Sequence, residues 1–347
     1  MIKDSLENQQ IEINNLINWF LSKKSIKHPL TSDYKFFLTT LSKNLSYLYS
    51  NLKIKKLKNN YNTKVKIKLK KYNLTHIKKF DTGLKKNNII LINQVKKLQK
   101  YLLYFIVHGS FATSDFIKGW SDFDTLLVIK DKTLLDEKVL NEFREKIVKL
   151  ELLLSKIDPY QHHGFLFITE FDLKNYSSSF LPIEVLQNAK VITKKNALEI
   201  NYQRNKKYWI NKFLKLHNLF KESYKNKFLE HHHYKGIYLK DNFQDMNTMY
   251  QIKYFLSLIM FIPCLYYECL GKPMYKKYSF TKLYSSKDKI NFELIKKASL
   301  IRNSWKEKNN LIKNNRIPNS LKKKLGRNYF KRAYLLTSSL KKILIKK

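Results

Sequence analysis

The stretch Val107-His108-Gly109-Ser110-Phe111-Ala112-Thr113-Ser114-Asp115-Phe116-Ile117-Lys118-Gly119-Trp120-Ser121-Asp122-Phe123-Asp124-Thr125-Leu126 decides how this chain is read. A β-branched and aromatic run, Tyr104 to His108, leads into it and reads as a strand. Gly109-Ser110 lets the backbone turn tightly into a helix start, where N–H groups and a hydroxyl can meet phosphate oxygens. Phe123 to Ile129 reads as a second strand. The alternation of such a segment points Asp122 and Asp124 to one face and Phe123 into the core. Two adjacent carboxylates repel, and a divalent cation is the usual remedy. Hard oxygen donors suit Mg²⁺, with Mn²⁺ as a substitute, and Mg²⁺ prefers sites shared with substrate phosphates.

Working outward, Tyr34, Phe37, Leu38, Leu41, Leu45, Leu48 and Leu52 recur at helical spacing, with Ser32 or Asp33 as a cap. An earlier helix is expected over Leu6 to Leu21. Lys64 to Lys70 alternates strictly between Lys and apolar residues, which predicts a strand with one basic face. That face is either a lysine-protected edge or a phosphate-tracking surface. Helical spacing resumes from Leu84 through Leu102. After the second strand, Thr133 and Asp136 suggest a capping box, and Val139, Phe143, Ile147, Leu150 and Leu154 form the buried face of the next helix. A third strand is expected over Gly164 to Phe171, behind a loop carrying Asp158, His162 and His163. Beyond about residue 196 the strong signals are all helical, and Tyr254 to Leu270 reads as a buried core helix.

The chain has 347 residues and a formal net charge of +41, with 68 Lys and Arg against 27 Asp and Glu. Hydrophobic residues make up 44% of it, which is globular composition and excludes a wholly disordered chain. The excess is nearly all Lys, in a sequence poor in Gly and Pro and rich in Asn, Ile, Tyr and Phe. It is open to two readings, a polyanionic partner or the residue usage of AT-rich codons. Cys264 and Cys269 are too few for a disulfide framework or a thiolate zinc site, so a reducing cytoplasm is expected. The N-terminus has no apolar core of a signal peptide, and no membrane partner is expected.

The Gly-Ser pair, a spacer from Phe111 to Ser121 and the Asp-apolar-Asp run, with a strand on either side, resemble the signature of the DNA polymerase beta-like nucleotidyltransferase superfamily. Thr125 stands where that pattern has its last apolar residue. The resemblance reaches to about Thr193, where Leu181 to Leu186 and Ala189 to Thr193 look like the closing helix and strand. It implies an α+β fold around a small mixed sheet, and metal-dependent transfer of a nucleoside monophosphate from an NTP such as ATP, releasing pyrophosphate. Asp122 and Asp124 would hold the metal, and Gly109 and Ser110 the phosphates. The family's third carboxylate belongs near the start of the next strand, where this chain has His162-His163-Gly164. His163 is the candidate third catalytic group, with His162, Glu170 and Asp158 as alternatives.

The resemblance also implies that a helical domain lends basic and hydroxyl groups to the nucleotide, for which Lys276, Lys277 and Ser279 are candidates. The expected layout is an N-terminal helical extension with a basic strand (1–80), a nucleotidyltransferase core (81–195) and a helical substrate-binding domain (196–347). The nucleotide is expected in the cleft between the last two. The acceptor is open between a small molecule, a protein side chain and RNA. The competing reading is a non-catalytic nucleic-acid-binding protein on a degenerate core. His231-His232-His233 is a weak metal motif, because adjacent histidines seldom converge on one ion.

Overall fold

The computed structural model describes residues 2–22, 32–54, 63–73, 82–113, 115–117, 120–158, 164–177, 180–202, 204–230, 238–240, 249–284, 292–305 and 319–346. The chain divides into two compact units. One is Met1–Phe116 with Ser121–Arg204; the other is Ile117–Trp120 with Asn205–Lys347.

The first unit opens with helices α1 (Ile2–Leu21) and α2 (Ser32–Ile54), then strands β1 (Thr63–Lys68) and β2 (Lys70–Lys71). Helix α3 (Thr82–Lys97) leads into β3 (Leu102–Val107), the short α4 (Gly109–Thr113) and β4 (Thr125–Ile129). Then follow α5 (Asp131–Leu134), α6 (Glu137–Ile157), β5 (Leu166–Thr169), α7 (Glu170–Lys174), α8 (Ile183–Gln187), β6 (Lys190–Val191) and β7 (Ala197–Tyr202). A mixed five-stranded sheet has the order β2-β6-β3-β4-β5, with β4 antiparallel to β3 and parallel to β5. The unit is α+β. Every residue of β4 is buried, as expected of a central strand covered on both faces. Leu127 and Ile129 pack with Phe20, Leu45, Leu91, Phe143 and Ile147 of the helical layer, while Leu126 and Val128 join the core that contains Ile67, Leu198 and Ile200. The N-terminal helices therefore share the core of the central segment.

Several local expectations change. Pairing of the second strand begins at Thr125, so Asp122 to Asp124 form the segment leading into it. The third strand stops at Thr169, whose side chain caps α7 in a reciprocal box with Asp172. That places Glu170 and Asp172 on a helix instead of at a strand end. Asp136 caps α6 directly, accepting from Lys138 N and Val139 N, and Thr133 lies within α5. The alternating lysine strand pairs antiparallel with β7, where Glu199 sits 3.3 Å from Lys64 and 3.2 Å from Lys66. Its basic face is thus partly answered by a carboxylate. Strands also occur after residue 196, because Leu198 and Ile200 alternate with polar residues there.

Strand β5 lies at the sheet edge, and α1 closes it. The Asn18 side chain donates to Phe167 O at 2.9 Å and accepts from Phe167 N at 2.8 Å, imitating a neighbouring strand. Gln10 and Asn14 donate to the buried Asp172 carboxylate at 2.5 and 2.9 Å. Gln10 also donates to Asn175 O at 3.0 Å.

Among its described residues the second unit contains α9 (Lys206–Asn226), the antiparallel pair β8 (Phe228–Glu230) and β9 (Tyr238–Lys240), and five further helices. These are α10 (Met249–Cys269), α11 (Lys276–Tyr284), α12 (Glu293–Asn303), α13 (Asn319–Leu325) and α14 (Tyr329–Lys346). Gln251–Cys269 is long and apolar enough to cross a membrane, yet 72% of it is buried in this unit's core. Trp120, from the spacer of the Gly-Ser motif, belongs to that core and meets Trp305 edge-on at 4.8 Å.

Candidate active site

Strands β3 and β4 bring the two halves of the motif together. Val107 pairs with Thr125, and His108 N–H donates to Asp124 O at 3.0 Å, carrying the ladder one residue past the strand ends. The chain leaves β3 through Gly109 at φ +64°, a left-handed conformation that glycine adopts without steric cost. A Cβ at Gly109 would overlap Asp124 Oδ2 and stand 3.3 Å from Asp124 Cγ. The carboxylate of one motif half is therefore seated on the turn of the other.

The segment before β4 alternates as its spacing requires. Phe123 is fully buried, edge-on to Phe111 at 4.7 Å and to Tyr72 at 6.3 Å, while Asp122 and Asp124 remain partly exposed. Phe111, from the turn itself, also meets Phe116 at 4.5 Å. This aromatic cluster fixes the turn and the aspartate segment as one piece. Ser110 is partly exposed, and its hydroxyl forms no hydrogen bond among the described residues. Lys190 is in register with Val107 on the neighbouring strand, and burial together with the charge of Lys70 holds its ammonium below the usual lysine range.

Two further carboxylates flank this segment. Asp158, the buried C-cap of α6, accepts the Phe123 N–H on Oδ2 at 3.0 Å, between the two aspartates. Glu151 is buried seven residues earlier on α6, and a Cβ on Gly164 would stand 3.2 Å from its Cδ. The parallel register pairs Leu126 with Leu166, so continued backward it sets Gly164 beside Asp124. The position beside Asp124 on that side is thus held by a residue without a side chain. Among the described residues no three His, Cys, Asp or Glu converge as a metal site. Glu170 accepts the Asp131 N–H at 2.7 Å, at the far end of β4 from the aspartates. Sequence reasoning passed over Glu151, although an acid beside Ile147, Leu150 and Leu154 on a buried helix face signals an unusual environment. His162, His163 and His231 to His233 lie outside the described residues.

Asp122 and Asp124, both partly exposed on either side of the buried Phe123, are hard carboxylate donors of the kind that fits a divalent cation. In the second unit, Lys276 begins α11, and its charge bears on the thiol of Cys264 in α10. Ser279 is fully buried, and its hydroxyl donates to Lys276 O at 2.6 Å, so it is turned toward its own helix. Lys277 lies on the same first turn; its side chain is outside what is described. Thr125, the departure from the motif, is buried with Oγ1 lacking a hydrogen-bond partner among the described residues.

Residues 89–192 match the family model described as nucleotidyltransferase domain, consistent with the DNA polymerase beta-like superfamily. The matched segment runs from α3 through β6 and contains the turn, the aspartates and Asp158. No curated protein and no solved structure matches the chain.

Proposed function

We propose that this chain transfers a nucleoside monophosphate from an NTP to an acceptor nucleophile. The observation that carries the reading is the seating of the Asp124 carboxylate against Gly109, within a segment matched as a nucleotidyltransferase domain. In the reaction the acceptor forms a bond to the α-phosphorus, the α–β phosphoanhydride bond breaks, and pyrophosphate leaves.

Asp122 and Asp124 would hold a divalent cation. Such an ion, when bound, offsets the charge developing on the phosphate oxygens. The chain's own contribution is position. Gly109 and Ser110 form a turn whose hydroxyl and backbone can receive phosphate oxygens, and Asp158 holds the Phe123 amide so that both carboxylates keep one direction. His163 remains the candidate for taking the acceptor's proton.

The test is incubation of purified protein with Mg²⁺, α-labelled NTPs and total cell extract. Label transferred to one extract component by the wild type, and lost in Asp122→Asn/Asp124→Asn, is the expected result. Equal labelling by the double variant would overturn the reading.

A further inference from the structure

In the second unit, α9 and α14 pack side by side along a seam with an ordered aromatic column. Tyr334 lies between His217, at 5.5 Å and 27°, and Tyr224, at 5.9 Å and 13°. Lys227 caps the column, its ammonium 4.4 Å from the Tyr224 ring centroid. His217 Nδ1 meets Thr337 Oγ1 at 3.1 Å, and Thr337 itself donates to Ala333 O and Tyr334 O. Thr337 therefore accepts from His217, which leaves Nδ1 protonated and Nε2 without the proton in the neutral ring.

The charge along this seam is of one sign. Burial, and after it the charges of Lys341 and Lys221, hold the His217 imidazole below the ordinary histidine range. Lys225, Lys331 and Lys342 stand on the same two helices, and Lys227 directly follows the end of α9. None of these lysines has a carboxylate partner among the described residues, unlike Lys53, Lys64, Lys66, Lys100 and Lys146 of the first unit. Helix α14 carries no acid at all, and α9 carries only Glu222, turned about 140° around the helix from His217. Glu222 lies three residues before Lys225, yet the two form no ion pair, so the seam's charge stays unneutralised among the described residues.

We infer that the α9–α14 seam is a binding surface for the phosphate backbone of nucleic acid. The partner follows from shape and charge together. Helices of 21 and 18 residues give a strip on the order of 30 Å long, close to the axial rise of about one duplex turn, so its lysines can meet phosphates where the backbone crosses it. The aromatic column ties the two helices together, so the backbone positions that carry the lysines need no rearrangement on binding. A lipid surface fits less well, because the exposed apolar residues of α14, Leu335 and Ile345, are ten positions apart and form no continuous face. The inference does not depend on the proposed reaction.

The test compares the full-length protein with two variants that lose the same charge. One is Lys221→Gln/Lys225→Gln/Lys331→Gln/Lys341→Gln on the seam; the other is Lys85→Gln/Lys86→Gln/Lys96→Gln/Lys97→Gln on α3. Binding of a 30-nucleotide oligouridine and of a 30-base-pair duplex is measured across a salt series. The seam variant should bind more than tenfold more weakly, with the slope of log K against log salt reduced by about three for four lost contacts. The α3 variant should stay close to wild type. On oligonucleotide binding the His217 imidazole should titrate at higher pH, because phosphate offsets Lys221 and Lys341. Equal losses in both lysine variants would reduce the effect to net charge and overturn the inference. So would a seam variant that loses anionic vesicles of phosphatidylglycerol and phosphatidylcholine while keeping both nucleic acids.

Discussion

Replacing Gly109 with alanine should separate activity from stability. The new methyl group meets two penalties. An L-residue in the left-handed region costs about 1–2 kcal/mol, partly offset by about 0.4–1 kcal/mol from a less flexible unfolded chain. The second penalty is steric and falls on Asp124, whose Oδ2 occupies the space the methyl needs. Because the obstacle is the end of a side chain, the fold survives and the carboxylate withdraws. Restoring ordinary contact near 3.5 Å moves it by roughly 1 Å. A misplacement of that size can lower turnover about 10²-fold. Gly271→Ala is the internal reference, since Gly271 has φ +74° and its added Cβ would meet nothing within 4 Å. Thermal unfolding of the two variants should therefore shift by similar amounts, while only Gly109→Ala loses nucleotidyl transfer. Adding Asp124→Asn to Gly109→Ala should cost less than the single effects summed, because both act through one carboxylate. A Gly109→Ala enzyme with wild-type turnover would refute the reasoning.

Asp124→Asn alone should keep the fold and lower transfer by at least about 10²-fold, as loss of one electrostatic stabiliser does; labelled-product assays beside circular dichroism check it. Asp158→Ala should cost roughly 1–3 kcal/mol by orphaning the Phe123 amide, whereas Asp158→Asn keeps an acceptor and should recover most of that in urea titrations. If Asp158→Asn is as inactive as Asp124→Asn while equally stable, Asp158 acts at the reacting centre and the positioning role is wrong. Stability should also fall at alkaline pH. Burial raises Cys264 from 9.0 to about 12 and Tyr104 from 10.0 to about 12. The folded state then holds protons that the unfolded state has released, so stability is full below about pH 9 and declines toward pH 12. Urea midpoints that stay flat across that window would contradict it.

The motif and its strands were legible because they combine hydrophobic runs with positions that only special residues tolerate. Gly109 and the Asp-Phe-Asp alternation are local properties, and local properties survive in sequence. The end of β4 at Thr125 was not, since pairing depends on where β3 turns away. The same holds for Glu170 and Asp172, which read as the tail of a strand until Thr169 is seen to cap a helix. Asp158 stood out as an acid in a loop, but its bond to the Phe123 amide joins positions 35 residues apart. Glu151 was hidden by its neighbours on an otherwise apolar face. Ser279 looked available beside two lysines, and only burial shows its hydroxyl turned inward.

The closure of the β5 edge by α1 has a consequence for how the chain is made. Gln10, Asn14 and Asn18 find their partners 149 to 165 residues later in the sequence. At about 5–20 residues per second, those partners leave the ribosome roughly 8–30 s after α1 does. Until β5 appears, Ile13, Ile17 and Phe20 lack the sheet edge beside which they pack. Of the elements that pack against α1, α2 is synthesised first, which gives it the work of a temporary shield until α6 and then β5 emerge. The same delay makes α1 a timer: the edge of the sheet is sealed by a segment made long before it, and a chain lacking that segment would present β5 open to other chains.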